Sequence, residues 1–241
     1  MLVLGLDFEA SSLIINEAKI IEIGAILWCT ETKTPKLIYS ELLHWPGFSI
    51  SDEITRITGI TNNDLLYFGK SPNDCLLILI ELIGKAEAIV AHNGQLYDKP
   101  LFIENLKKVG IDASIKTPWI DTTMDIEYPP EIKTRKLIHL AAEHGFINPF
   151  AHRAIFDVLT MLAVMARYDF HKILAFSQEP NIIIKAICQP PWEDNGVSTT
   201  EAKANGFYWD GSKKQWSKTC KQNQYQKEAE KAKTYKIAIV S

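Results

Sequence analysis

The first ten residues, MLVLGLDFEA (Met1–Ala10), decide how the rest of the chain is read. Leu2 to Leu6 are almost wholly apolar, the composition of a strand buried on both faces. Side chains at i and i+2 of a strand share a face, so Asp7 and Glu9 project together from the end of this one. Two carboxylates side by side are costly there, because each disfavours ionisation of the other. A divalent cation removes that cost, and hard oxygen ligands suit Mg²⁺ or Mn²⁺ rather than zinc. The same letters also fit a plainer reading, in which Glu9 opens a solvated turn and Asp7 caps something local.

Outward from this strand, Lys19 to Trp28 and Lys36 to Leu43 are further β-rich runs joined by turn-like segments, so the chain opens as an antiparallel meander. The pattern then changes. Ser51 starts a short helical stretch, and Ser71-Pro72 caps a longer one through Ile83. Glu87 to Ala91 reads as a short buried strand, and Leu96 to Val109 as an amphipathic helix ending at Gly110. Helical patterns follow at about Thr134 to His144 and Ala154 to Arg167. A meander followed by alternating strand and helix predicts a mixed α/β sheet covered by helices.

The run Ser177-Gln178-Glu179-Pro180 reads as a boundary, giving a first domain over 1–178 and a small α+β module over 181–241. In the module, Ile182 to Ile187 is strand-like, a short helix ends near Asn205-Gly206, and Phe207 to Trp216 reads as a hairpin on a tight Asp210-Gly211 turn. A polar helix from about Gln222 to Lys233 and a strand from Tyr235 to Val240 complete it.

The 241 residues are 46% hydrophobic, enough for a sizeable core. The net charge of −3 gives no global basic field. The charge is uneven, however: residues 1–170 carry 15 basic and 22 acidic side chains, residues 171–241 carry 11 and 7. Cys29, Cys75, Cys188 and Cys220 form no CxxC pair, which suits reduced thiols in a reducing compartment. The N-terminus lacks a signal-peptide pattern and no apolar run is long enough to span a bilayer, so a soluble, cytoplasmic protein with no membrane partner is expected.

Two further elements carry chemistry. In Ala91-His92-Asn93-Gly94-Gln95-Leu96-Tyr97-Asp98 a buried strand runs into a helix start, with Asp98 in the first helical turn, where the helix dipole also favours an acid. The other is His152 followed by Asp157, on or just before a helix. His92, His139 and His144 show no zinc-like spacing and read as satisfied polar residues.

Together with Leu6-Asp7-Phe8-Glu9, the runs Ala91 to Asp98 and His152-Arg153-Ala154-Ile155-Phe156-Asp157 resemble, in order, the three motifs of the DEDDh (DnaQ-like) 3′→5′ exonucleases. That family includes exonuclease X and the proofreading epsilon subunit of DNA polymerase III. Supporting matches are Ile20 to Ala25, Thr58-Gly59-Ile60-Thr61 and Asp121-Thr122, and the resemblance covers roughly residues 1–170. It implies a ribonuclease H-like fold with a mixed five-stranded sheet flanked by helices. It also implies a metal-dependent nuclease using two Mg²⁺ or Mn²⁺, of a DNA repair or proofreading type.

By the same resemblance Asp7 would bridge both metals, and Glu9 and Asp157 would complete the site that carries the attacking water. Asp98 would support the second metal and His152 would be the general base. Thr58, Gly59 and Ile60 match the segment that meets the 3′-terminal nucleotide, and Phe8 and Asn93 fall among the substrate-binding positions. Asn93 suits a turn-organising role better than a metal-ligand role, and Glu22 reads as a paired structural acid. The expected partner is a single-stranded nucleic-acid 3′ end, with a polymerase or other DNA-processing protein as a further possibility; oligomeric state is open.

Outside the resemblance, Lys203, Lys213, Lys214 and Lys218 near Tyr208, Trp209 and Trp216 make a backbone-plus-stacking surface for single strands, unless the tryptophans are needed for the module's own core. Two other functions fit the sequence: an oligoribonuclease-like exoribonuclease, whose motif residues would be the same, and a non-catalytic nucleic-acid-binding protein, which would have no need of the acid cluster.

Overall fold

The computed structural model describes residues 1–193 and 197–240 and divides into two compact units, one over Met1–Phe176 and one from Ser177 onward. The module expected over 181–241 therefore includes residues 194–196 and 241, which lie outside the described residues.

In the first unit, β1 (Leu2–Ala10), β2 (Ile20–Cys29) and β3 (Thr34–Leu42) form the antiparallel meander. The strands β4 (Ala88–Ala91) and β5 (Trp119–Asp121) then add in parallel, giving the order β3-β2-β1-β4-β5. This is the mixed five-stranded sheet of the ribonuclease H-like fold. Alternation along β1 sorts its side chains between two cores. Leu4, Leu6 and Phe8 join the cluster formed with α3 (Pro72–Gly84) and α4 (Asp98–Lys108). Val3 joins the cluster on the opposite face, with α5 (Leu137–Glu143), α6 (Ala154–Met165) and α7 (Phe170–Ser177). Gly5 faces α6 as well, and by alternation so do Asp7 and Glu9.

The long helix expected after Ser71-Pro72 forms as α3, with Ser71 Oγ accepting the Asp74 N–H. Two short helices precede it, α1 (Asp52–Thr58) and α2 (Asn62–Phe68), the second started by a Thr61–Asp64 capping box. Helix α2, strand β5 and helix α7 are additions to the elements expected from sequence; all three are short, and a periodic signal needs length to show. Among the described residues no helix is long and apolar enough to cross a membrane.

The second unit is a four-stranded antiparallel sheet of order β7-β8-β6-β9, from β6 (Asn181–Ile187), β7 (Tyr208–Asp210), β8 (Gln215–Lys221) and β9 (Lys236–Ile239). The helices α8 (Val197–Ala204) and α9 (Tyr225–Lys231) supply Ala202 and Tyr225 to its core. The hairpin differs from expectation. Gly211 does not take a positive φ; a four-residue loop runs to Lys214, which does, at φ 50°. The Asp210 carboxylate organises this loop by accepting the N–H groups of Ser212 and Lys213, which removes the need for a two-residue turn.

One close approach fixes the first unit around its future site. A Cβ on Gly24 would lie 2.5 Å from Ile155 N and 2.6 Å from Ala154 O, so only glycine lets the start of α6 rest directly on β2. Gly24 sits opposite Asp7 in the β1–β2 register, and α6 carries Asp157 one turn in. Gly24→Ala should therefore displace α6 and destabilise the protein by about 1–3 kcal/mol, the usual cost of overpacking. Urea unfolding followed by circular dichroism would measure it; an unchanged midpoint would mean that α6 can shift at no cost.

Candidate active site

The three parallel strands β1, β4 and β5 bring the chemistry-bearing segments to one end of the sheet. Asp7 and Glu9 lie on β1, the His92–Tyr97 turn follows β4, and Asp121 ends β5. Asp98, the first residue of α4, is 3% exposed. Its Oδ1 is buried with no hydrogen-bond partner. From the α6 side come His152 and Asp157. The potential ligand atoms of Glu9, His152 and Asp157 all lie within 4.8 Å of one another.

The electrostatics follow from this crowding. Burial, then the charges of Asp98, Glu9 and Asp157, push the Asp7 carboxyl well above the usual carboxylate range. Burial followed by Asp157 and Glu22 pushes Glu9 up to about 8. Burial pushes Asp98 up to about 7 although backbone hydrogen bonding pulls it down. Asp157 is also raised by burial, against the His152 N–H (2.9 Å) and the Asn148 amide (2.6 Å) that it accepts. Four carboxylates that resist ionising together, one of them with an unpartnered buried oxygen, are what an oxygen-ligated divalent cation stabilises. The residues present fit such an ion.

Several residues outside the acid–histidine cluster support it, and the sequence marks Glu22 and Asp121 without showing their partners. Glu22, 1% exposed, takes two hydrogen bonds from Arg153 Nε and Nη2 (3.0 and 2.8 Å) and one from the Ala154 N–H (2.9 Å). It is the paired structural acid expected, and it pins the start of α6. Asp121 accepts the N–H groups of Asn93 (3.0 Å), Gln95 (3.3 Å) and Thr123 (2.9 Å), so it shapes the turn that delivers Asp98. An acid closing an apolar strand is the available signal, but its partners in that turn are 26 and 28 residues away. Asn148 has no signal. Asn93 and His152 both sit at left-handed φ, 63° and 64°, a conformation uncommon for non-glycine residues but one in which Asn and His are enriched.

The expected substrate-contacting residues separate. Phe8 points away from Asp7 and Glu9, as strand alternation requires, and stacks on Phe102 with ring centroids 5.9 Å apart. Ile60 is 2% exposed and packs with Ile21, Ile50 and Leu65. The buried Thr58 hydroxyl is engaged by Ile54 O and the Ile60 N–H. The side chains of Phe8, Thr58 and Ile60 are thus structural, because each lies on the core side of its element. Gly59 remains exposed at φ 73° with open space around its Cα. His144 bonds Leu140 O and Tyr168 Oη, both at 2.6 Å, the satisfied polar residue expected of it. A cleft of about 750 Å³ opens beside the acids, lined by Asp7, His152 and Asp157 together with His92, Arg135 and Lys136. It has the size for a nucleotide and brings cationic groups near the acids.

Comparison with known proteins agrees with this geometry. The RNase_T family model, described as an exonuclease, matches residues 4–165. No curated protein matches the sequence significantly. Among solved structures, the nuclease domain of 3′hExo, a DEDDh family member bound to rAMP, aligns at TM-score 0.57 and 15% identity, covering 69% of this chain and 90% of that one. E. coli exonuclease I in complex with a dT13 oligonucleotide aligns at 0.59 and 15%, covering 76% of this chain and 48% of that one. This chain belongs to the RNase_T exonuclease family, and its first unit shares the fold of the DEDDh nuclease domain of 3′hExo.

The raised carboxyl pKa values fix how stability depends on pH. In the fold Glu9 and Asp98 hold their protons to about 8 and 7, well above their ordinary values of 4.5 and 3.8. Through these two groups the folded state binds more protons than the unfolded state between about pH 4 and 8, so the stability they contribute is full below that window and falls as pH rises through it. In chelator the thermal midpoint should drop by about 3–8 °C from pH 5 to pH 8, and Mg²⁺ or Mn²⁺ should reverse the drop. Identical pH profiles with metal and with chelator would show that the acids do not form a cation site.

Proposed function

We propose that the protein removes nucleoside 5′-monophosphates from the 3′ ends of single-stranded DNA, using two divalent metal ions. The carrying observation is the convergence of Asp7, Glu9, Asp98, His152 and Asp157, with the buried Oδ1 of Asp98 unpartnered. Asp7, Glu9, Asp98 and Asp157 would hold the ions through their carboxylate oxygens. When bound, Mg²⁺ or Mn²⁺ supplies Lewis acidity toward the phosphate and the attacking and leaving oxygens.

The protein's own groups do the rest. His152, exposed on the left-handed turn before α6, accepts the proton from the attacking water, a task suited to imidazole near neutral pH. The water oxygen bonds to phosphorus as the bond to the 3′ oxygen of the preceding nucleotide breaks. That oxygen takes up a proton to become the new 3′ hydroxyl. Arg135 and Lys136, lining the same cleft, meet the phosphates next along the strand. The DNA reading is supported by the fold shared with exonuclease I bound to dT13. A second reading, RNA as substrate, draws on the similarity to the 3′hExo domain bound to rAMP.

Single-stranded DNA and RNA of matched sequence, each labelled at either end, would be incubated with Mg²⁺ or Mn²⁺. The expected result is a ladder shortening from the 3′ end, abolished by chelator. Asp7→Asn should cost at least about 10³-fold, roughly 4 kcal/mol of transition-state stabilisation. His152→Ala should cost about 10²–10⁴-fold. Preferential shortening of RNA would replace the DNA assignment, and no metal-dependent shortening of either polymer would overturn the proposed chemistry.

A further inference from the structure

The sheet of the second unit has one covered and one open face. Antiparallel partners share a face, so Trp216, opposite Trp209 and Ala186, marks the side packed with Ala202 of α8 and Tyr225 of α9. Trp216 is 2% exposed there, and Lys218 is held by Glu228 of α9. Lys203 lies over the Trp216 ring, and Lys213 pairs with Asp210. Three of the four lysines that the sequence suggested as a binding surface are therefore engaged within the unit itself.

The opposite face carries a different set. Tyr208, Ser217 and Lys185 form one cross-strand row, and Ile187 pairs with Lys236 beside it. Tyr208 is 57% exposed and the buried Ser217 is the small residue between it and Lys185. Neither Lys185 nor Lys236 has an ion-pair partner among the described residues. The other charged side chains on this face are Lys221, whose ammonium is held by the carbonyls of Ser177 and Glu179, and Asp210, bound within its own loop. An exposed aromatic ring on edge strand β7, with lysines on the same face across the sheet on β6 and on the opposite edge strand β9, in the basic part of an otherwise acidic chain, complements an extended phosphodiester strand with unstacked bases.

We propose that this open sheet face is a second docking platform for the single DNA strand, with Tyr208 stacking on a base and Lys185 and Lys236 meeting phosphates. The inference rests on the exonuclease reading above for the identity of the strand. Both units belong to one chain, so a strand held here is kept at high effective concentration for the first unit, and long substrates gain more than short ones.

The test is binding of the full chain in chelator to a fluorescein-labelled 30-mer of dT, read by anisotropy over a range of salt. Tyr208→Ala should weaken binding about tenfold. Lys185→Ala with Lys236→Ala should lower the slope of log affinity against log salt by about 1.4, near 0.7 for each phosphate no longer neutralised. Lys227→Ala, which removes one lysine charge from α9, should stay within about twofold and leave the slope unchanged. Thermal unfolding shows that each variant is folded. Unchanged affinity and slope in folded Tyr208 and lysine variants would overturn the platform. So would variants that change only the sedimentation mass, which would assign the face to a second copy, or a Tyr208 effect seen with an RNA 30-mer and not with dT. Because no metal is present, binding is read apart from cleavage. Failure of the ladder experiment with Tyr208-dependent binding retained would remove the exonuclease reading and leave the platform standing.

Discussion

Glu22 and Gly24, two residues apart on β2, hold the site's two halves together. The Glu22 carboxylate is buried against the Arg153 guanidinium and the first N–H of α6, and Gly24 lets the backbone of that helix rest on the strand. Glu22 is buried while the Arg153 guanidinium is 40% exposed, so water screens part of the pair, and the carboxylate gains the rest of its compensation from the Ala154 N–H. Together they hold the start of α6 where Asp157 faces Glu9, an arrangement that carboxylate repulsion opposes. The clamp and the repulsion act on neighbouring residues, and the clamp sets the geometry in which the repulsion becomes useful for holding cations.

The same logic runs through the turn after β4. Asp121 gathers the backbone N–H groups of Asn93 and Gln95, and Tyr97 reaches Ser12 O at 2.7 Å, tying this turn to the loop that follows β1. Asp98 is thereby delivered with one carboxylate oxygen unpartnered. Left-handed backbone at Asn93 and His152 borders the acids, at residue types that accept this conformation more readily than most. Unsatisfied polarity, at Asp98 Oδ1, is thus found where the carboxylates converge.

The second unit divides its aromatic residues by face. Trp216 is consumed by the unit's own small core, as a unit of this size requires, while Tyr208 on the neighbouring strand is left outside. A sequence in which Phe207, Tyr208 and Trp209 are adjacent cannot by itself say which ring is spent on stability. Strand pairing decides it, because alternation sends consecutive rings to opposite faces.

The meander and the main helices are legible in the amino-acid order from local signals, apolar runs and caps. The five residues of the acid–histidine cluster stand out there only through the resemblance of three short motifs, in order, to a known family. Glu22 is likewise marked there as structural. Which motif neighbours face the site is settled by the folded arrangement. Phe8 and Ile60 sit inside the motifs yet point into the core, while Asp121 and Asn148 sit outside the catalytic set yet hold it in place. The physical reason is that a side chain's direction follows from its element's register and packing. The hydrogen bonds from the turn to Asp121, like the one from Arg153 to Glu22, join residues 26 to 131 positions apart. Local sequence carries no record of such pairings; they exist once the sheet has set its register and α6 has docked on Gly24.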